Sequence, residues 1–209
     1  SKKLEASEAA DDFASQSLSL MVVILSVFTV VMMLTMPFVI MLLAPGFEHD
    51  GERFSLATEL SRITFPYLIL MSVTALLGGI LNAHGRYGPF AAAPILFNLT
   101  LITALLIGTS FFETIGHALS WGILLSGVIQ LLFMMVFIVR QKVKIKLKKP
   151  TMSPDVKKLL MLMGPGVVGA GVMHINLFAD MIIASFLPTG SISYLYYADR
   201  LNQLPLGVV

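Results

Sequence analysis

The chain has 209 residues, 56% hydrophobic and 12% charged, with a formal net charge of +2 at pH 7 and a mean hydropathy of +0.87. A soluble domain carries about 25% charged residues, so this composition excludes an ordinary soluble core and assigns an integral membrane protein. Cysteine is absent, which removes disulfides and thiolate metal centres.

Charges divide the chain into spans. Residues 13–47, 63–83, 87–112 and 118–139 contain none. About 20 apolar residues carry a helix across the hydrocarbon, and lipid leaves these backbones no option but helix, because no water is there to satisfy their amides. Four helices follow. A fifth is expected from about 159 to 187 and contains Asp180. A sixth follows Pro188-Thr189-Gly190, with Ser191 as its expected N-cap, and contains Asp199 and Arg200. The first apolar run is too long for the core of a secretory signal and lacks its cleavage site. The chain starts at Ser1 without a Met and stops at Val209 inside an apolar run, and is read as an excerpt of a longer protein.

Lys and Arg set the orientation. Residues 140–149 hold six of the 14 basic residues, with Lys157 and Lys158 just beyond. That loop is expected to be cytoplasmic, as are His84-Gly85-Arg86 and the N-terminus with Lys2 and Lys3. The loops at 48–62, 113–117 and 188–190 then face out, carrying Glu48, Asp50, Glu52, Glu59 and Glu113 against Arg53 and Arg62. The stretch Lys142-Val-Lys-Ile-Lys-Leu-Lys148 also alternates with period two. This is an extended amphipathic pattern, suited to anionic headgroups or serving only to fix topology.

Pro37, Pro94, Pro165 and Pro205 fall inside the expected helices and can kink them. Gly164, Pro165, Gly166, Gly169 and Gly171 open the fifth helix. In a membrane helix such a run means a hinge or close packing. The pairs Ala75/Gly79 and Gly122/Ser126 have small-xxx-small spacing and read as packing contacts.

Charge at bilayer depth is costly and persists where it faces a partner or a water-filled path. Asn176 and Asp180 are four apart, so they share a helix face. Their oxygens suit a hard cation such as sodium, or Asp180 takes a proton. His174 lies off that face and reads as a packing histidine. Arg200 lies about ten residues into its helix, roughly 15 Å deep, with Tyr196, Tyr197 and Gln203 on the same side. Its planar fork of donors suits an anionic ligand; otherwise it pairs with Asp199 or Asp180 and only fixes packing. No phosphate-binding loop, nucleophile elbow or His/Glu metal spacing is present, so no enzyme is expected. Trp121 and the tyrosines read as interface or packing aromatics.

Several motifs carry a resemblance: Leu43-Ala-Pro-Gly-Phe47; Ile63-Thr-Phe-Pro-Tyr67 with Gly79-Ile-Leu-Asn82; Ala184-Ser-Phe-Leu187; and Tyr196-Tyr-Ala-Asp-Arg-Leu201 with Pro205. Together they resemble the MurJ/MviN family, lipid II flippases of bacterial peptidoglycan synthesis within the MOP exporter superfamily. The resemblance runs through the whole chain and is most specific at the Tyr-Tyr-Ala-Asp-Arg-Leu stretch. It implies an all-α polytopic membrane helix bundle of about fourteen helices. This chain would be a partial copy, starting in the cytoplasmic loop after helix two and ending inside helix eight.

The implied organisation is 1–139 as first-bundle helices with a cytoplasmic N-terminal loop, 140–158 as a basic cytoplasmic loop, and 159–209 as two cavity-lining helices of the second half. Arg200 falls on the helix-eight arginine that the resemblance implies holds the substrate pyrophosphate, with Asp199, Tyr196 and Gln203 beside it. Asp180 falls on a helix-seven position that is a sodium ligand in some members and is not acidic in all. Further cation ligands and the arginines of helices one and two would lie outside the excerpt. The implied partners are lipid II and membrane lipids, without nucleic acid, and the implied location is the bacterial inner membrane. No cofactor is implied beyond a coupling sodium ion or proton. Alternatives are a drug or polysaccharide-lipid exporter of the same superfamily, and a non-transporting membrane scaffold.

Overall fold

A computed structural model describes residues 2–48, 51–108, 110–112, 114–141, 143, 145, 148 and 153–206, with the backbone alone at 2–10, 155, 173 and 202–206. It is all-α, and the described residues contain no strand. The helices are α1 (Lys2–Leu34), α2 (Met36–Leu43), α3 (Glu52–Thr64), α4 (Tyr67–Ala83), α5 (Gly88–Gly108), α6 (Ile115–Arg140), α7 (Pro154–Ser185) and α8 (Ser191–Leu206). Five helical stretches among the described residues are long and apolar enough to cross a membrane: Asp11–Leu34, Glu52–Ala83, Gly88–Gly108, Ile115–Arg140 and Val156–Ser185. The chain is therefore a multi-pass membrane protein.

Two of the helix breaks fall at proline. The uncharged run 13–47 becomes two helices, because Pro37 sits in the first turn of α2, where its missing N–H costs nothing. Pro66 stands between α3 and α4. Pro94 and Pro165 are accommodated inside α5 and α7. Ser191 is the first residue of α8 rather than its cap: its hydroxyl donates to the Pro188 carbonyl at 2.8 Å. Gly190 before it takes φ of 99°, a conformation that glycine adopts without steric cost.

The residues form two compact units, Ser1–Leu34 with Leu60–Leu162, and Thr35–Glu59 with Met163–Val209. The core of the first joins Leu18 of α1, Val73, Leu77 and Leu81 of α4, Ala93 of α5, and Met134 and Ile138 of α6. The four-residue spacings put each set on one helix face. Lipid supplies no hydrophobic drive between helices, so small residues let backbones approach. A Cβ on Gly122 would lie 2.6 Å from Ala104 Cβ, and one on Gly108 would lie 2.9 Å from Ala118 Cβ. Gly122 and Ser126 are both buried, so that pair does pack. Ala75 and Gly79 do not: both are exposed, and on α4 it is Gly78 that meets a neighbour, the Phe90 ring. The outward faces are apolar, as lipid requires; on α1, Val23, Ile24, Val27, Val30 and Val31 are 45–60% exposed.

Three polar contacts tie α1 to the rest of its unit. Arg62 Nε donates to the Met33 carbonyl at 3.0 Å, satisfying one of the carbonyls a helix end leaves orphaned. Earlier in the helix, the Lys148 backbone N–H donates to Ser19 Oγ at 2.8 Å, and its ammonium pairs with Asp12. Val143 and Ile145 pack on the core, so these apolar members of the period-two stretch face protein. Lys142, Lys144, Lys146 and Lys149 lie outside the described residues, as do His49, Asp50 and Glu113.

Candidate functional site

The second unit contains the hairpin of α7 and α8, joined at Pro188-Thr189-Gly190. The two helices line an open cleft of about 640 Å³ whose polar residues are Asp180 from α7 and Tyr196, Asp199 and Arg200 from α8; Leu177 and Met181 supply apolar wall. Three of the expected substrate-site residues and the expected cation ligand Asp180 therefore share one cleft. The spacing explains it: Tyr196, Asp199 and Arg200 fall within one turn of α8 and one face of the helix.

Arg200 is held by its own helix. Its Nε donates to the Tyr196 hydroxyl at 3.0 Å, and its guanidinium carbon lies 5.1 Å from the Tyr196 ring centroid, within cation–π range. Tyr197 meets Tyr196 edge-on at 6.1 Å. The ring thus orients the guanidinium, and Arg200 itself remains exposed in the cleft. Two carboxylates and one guanidinium give this lining a formal charge of −1 (one positive minus two negative), so the cleft favours a cation as readily as part of an anion.

Asn176 lies one turn before Asp180 on α7, exposed and outside the cleft lining. His174 is exposed as well. The Gln203 side chain lies outside the described residues. Gly164, Gly166, Gly169 and Gly171 sit in an uninterrupted stretch of α7, and a Cβ on any of them meets nothing within 4 Å. No packing partner for them lies among the described residues. Among those residues, no group of three or more His, Cys, Asp or Glu side chains is placed to hold a metal ion.

Sequence reasoning passed over Tyr194, which lines a shallower cleft of about 410 Å³ with Asp180, Ile183 and Leu187 near the turn. It also missed the meeting of two of its own motifs. The backbone N–H of Gly46, in Leu-Ala-Pro-Gly-Phe, donates to Ser185 Oγ, in Ala-Ser-Phe-Leu, at 2.9 Å.

The family model described as "Lipid II flippase MurJ" matches residues 1–209. The chain belongs to the lipid II flippase MurJ family. A probable lipid II flippase MurJ of Rickettsia prowazekii (strain Madrid E) is 38% identical over 100% of this chain and 41% of its own length. That of Rhizobium tropici is 39% identical over 100% of this chain and 40% of its own length. That of Haemophilus influenzae (strain ATCC 51907 / DSM 11121 / KW20 / Rd) is 36% identical over 88% and 38%. The chain thus spans about two fifths of the MurJ relatives it matches. The motifs that carry the resemblance include Tyr196, Asp199 and Arg200 of the cleft's α8 wall and both partners of the Gly46–Ser185 contact.

Proposed function

We propose that this chain is part of a lipid II flippase of the bacterial inner membrane, in which the α7–α8 hairpin forms one wall of the headgroup path. The observation that carries this reading is Arg200, aimed by Tyr196 and exposed in the cleft between α8 and α7, a helix long and apolar enough to cross a membrane. A guanidinium at that depth is retained where it meets an anion or a wet path, and a pyrophosphate matches its fork of donors. The polyprenyl tail stays in lipid while the headgroup crosses by alternating access, with α7 bending at residues 164–171.

The charge of the lining supports a division of labour. One guanidinium does not neutralise a pyrophosphate, so further cationic groups come from helices beyond this chain. Asp180 takes a sodium ion or a proton, coupling the cycle to an ion gradient. The basic residues at 140–149 support a cytoplasmic position for that loop, with the α7–α8 turn outside.

The test is depletion and rescue. The full-length parent gene, with and without Arg200→Ala, is restored to cells lacking their flippase, and lipid II exposed on the outer leaflet is measured. Exposure by the parent and none by an equally expressed variant supports the reading. A parent that fails to expose lipid II moves the cargo to another lipid-linked or drug-like substrate.

A further inference from the structure

The contact between Gly46 and Ser185 is built to a tight tolerance. Ser185 is 1% exposed, and Ala44 and Ala184 beside the contact are buried too. The Ser185 hydroxyl is used both ways: it accepts from Gly46 N at 2.9 Å and donates to the Ile182 carbonyl at 2.6 Å. A Cβ on Gly46 would lie 2.5 Å from Phe186 N and from the Ser185 carbonyl carbon and oxygen. All three are backbone atoms, which cannot swing aside as a side chain can. Gly46 is not among the glycines with positive φ, so glycine is required here for close approach and not for conformation. A second contact lies beside the first: Arg53 of α3 donates to the Thr189 hydroxyl in the α7–α8 turn.

Both contacts join the segment after α2 to the turn end of the hairpin, across 139 and 136 residues of sequence. Each is a hydrogen bond of modest net contribution, and the Arg53–Thr189 bond is exposed, where water can replace it. Such contacts bias a hairpin's position without fixing it permanently. The hairpin they hold carries Asp180 and Arg200.

We propose that Gly46 with Ser185, and Arg53 with Thr189, form a releasable latch on the turn end of the α7–α8 hairpin, which must let go for a headgroup to leave past that end. The headgroup part of this proposal rests on the flippase reading; the latch itself does not.

The chain has no cysteine, so an introduced pair is easily followed in a full-length parent cleared of other thiols. Arg53→Cys and Thr189→Cys are joined by a short, reducible bifunctional thiol reagent. The bridged protein is expected to lose lipid II exposure and to regain it on reduction. Bridged protein that still exposes lipid II overturns the latch, as does a pair that does not bridge at all. A second readout needs no cargo: Gly46→Ala should lower the bridged fraction roughly threefold or more at equal protein level, and unchanged bridging overturns the role of Gly46. If the unsubstituted parent exposes no lipid II, the cargo reading falls while the bridging yields still decide the latch.

Discussion

The guanidinium of Arg200 lies over the ring of Tyr196, one helical turn earlier in α8, and bonds to that ring's hydroxyl. The tyrosine acts on the arginine in two separable ways, through its face and through its oxygen. Tyr196→Phe keeps the face and loses the bond; Tyr196→Leu loses both. A cation–π contact at an exposed site contributes about 0.5–1 kcal/mol, so the leucine variant should fall roughly two- to fivefold below the phenylalanine variant. Initial rates of lipid II exposure in cells at matched protein level measure this, and equal rates for the two variants would remove the ring from the account.

Asp180 shares the cleft with Arg200 but sits on the opposite helix. Asp180→Asn keeps the size of the side chain and removes its charge. If this carboxylate takes the coupling ion, exposure of lipid II by the full-length parent should lose most of its dependence on external sodium or on pH. Dependence that survives unchanged assigns the ion to other residues.

Two mid-helix glycines test the packing. A Cβ added to Gly122 would lie 2.6 Å from Ala104 Cβ, whereas one added to Gly79 would meet nothing within 4 Å. Overpacking costs about 1–3 kcal/mol, so Gly122→Ala should lower thermal stability in detergent. Gly79→Ala adds no clash and gains helix propensity of up to about 1 kcal/mol, so it should be neutral or stabilising. A neutral Gly122→Ala would contradict close approach of α5 and α6.

The glycines of α7 allow a discriminating experiment, because alanine clashes with nothing described at 164, 166, 169 or 171. A bending role predicts that Gly→Ala at these sites lowers transport while leaving the full-length protein as stable as before, or more so. A packing role against helices outside this chain predicts loss of stability first. Melting temperature and lipid II exposure, measured on the same variants, separate the two.

Helices α5 and α6 were legible from charge alone: the uncharged runs 87–112 and 118–139 bracket Gly88–Gly108 and most of Ile115–Arg140. Counting charges failed where a helix begins in polar sequence. It started the second span at 63, whereas α3 begins at Glu52, since Glu and Arg favour a helix without being apolar. It also merged α1 and α2, which one proline separates. In the cleft, Tyr196, Asp199 and Arg200 were legible because they share a helix and its period. The meeting of Gly46 with Ser185 was not, for no local pattern connects residues 139 apart, although each sat in a motif already marked as distinctive.

The outward face of α1 has a consequence for anyone who handles this protein. Between 22 and 31, seven of ten residues are Val, Ile or Thr, types that prefer strands, and no charge interrupts them. They are helical because hydrocarbon forbids an unpaired amide, so the helix here is a property of the surrounding medium as much as of the chain. Stripped of lipid or detergent, this segment meets the requirements for stacked intermolecular strands: β-branched, uncharged and without proline. Loss of amphiphile during purification is therefore expected to yield β-rich aggregate seeded at α1, and a Lys placed at an outward position such as Val27 would suppress that aggregate while opposing membrane insertion.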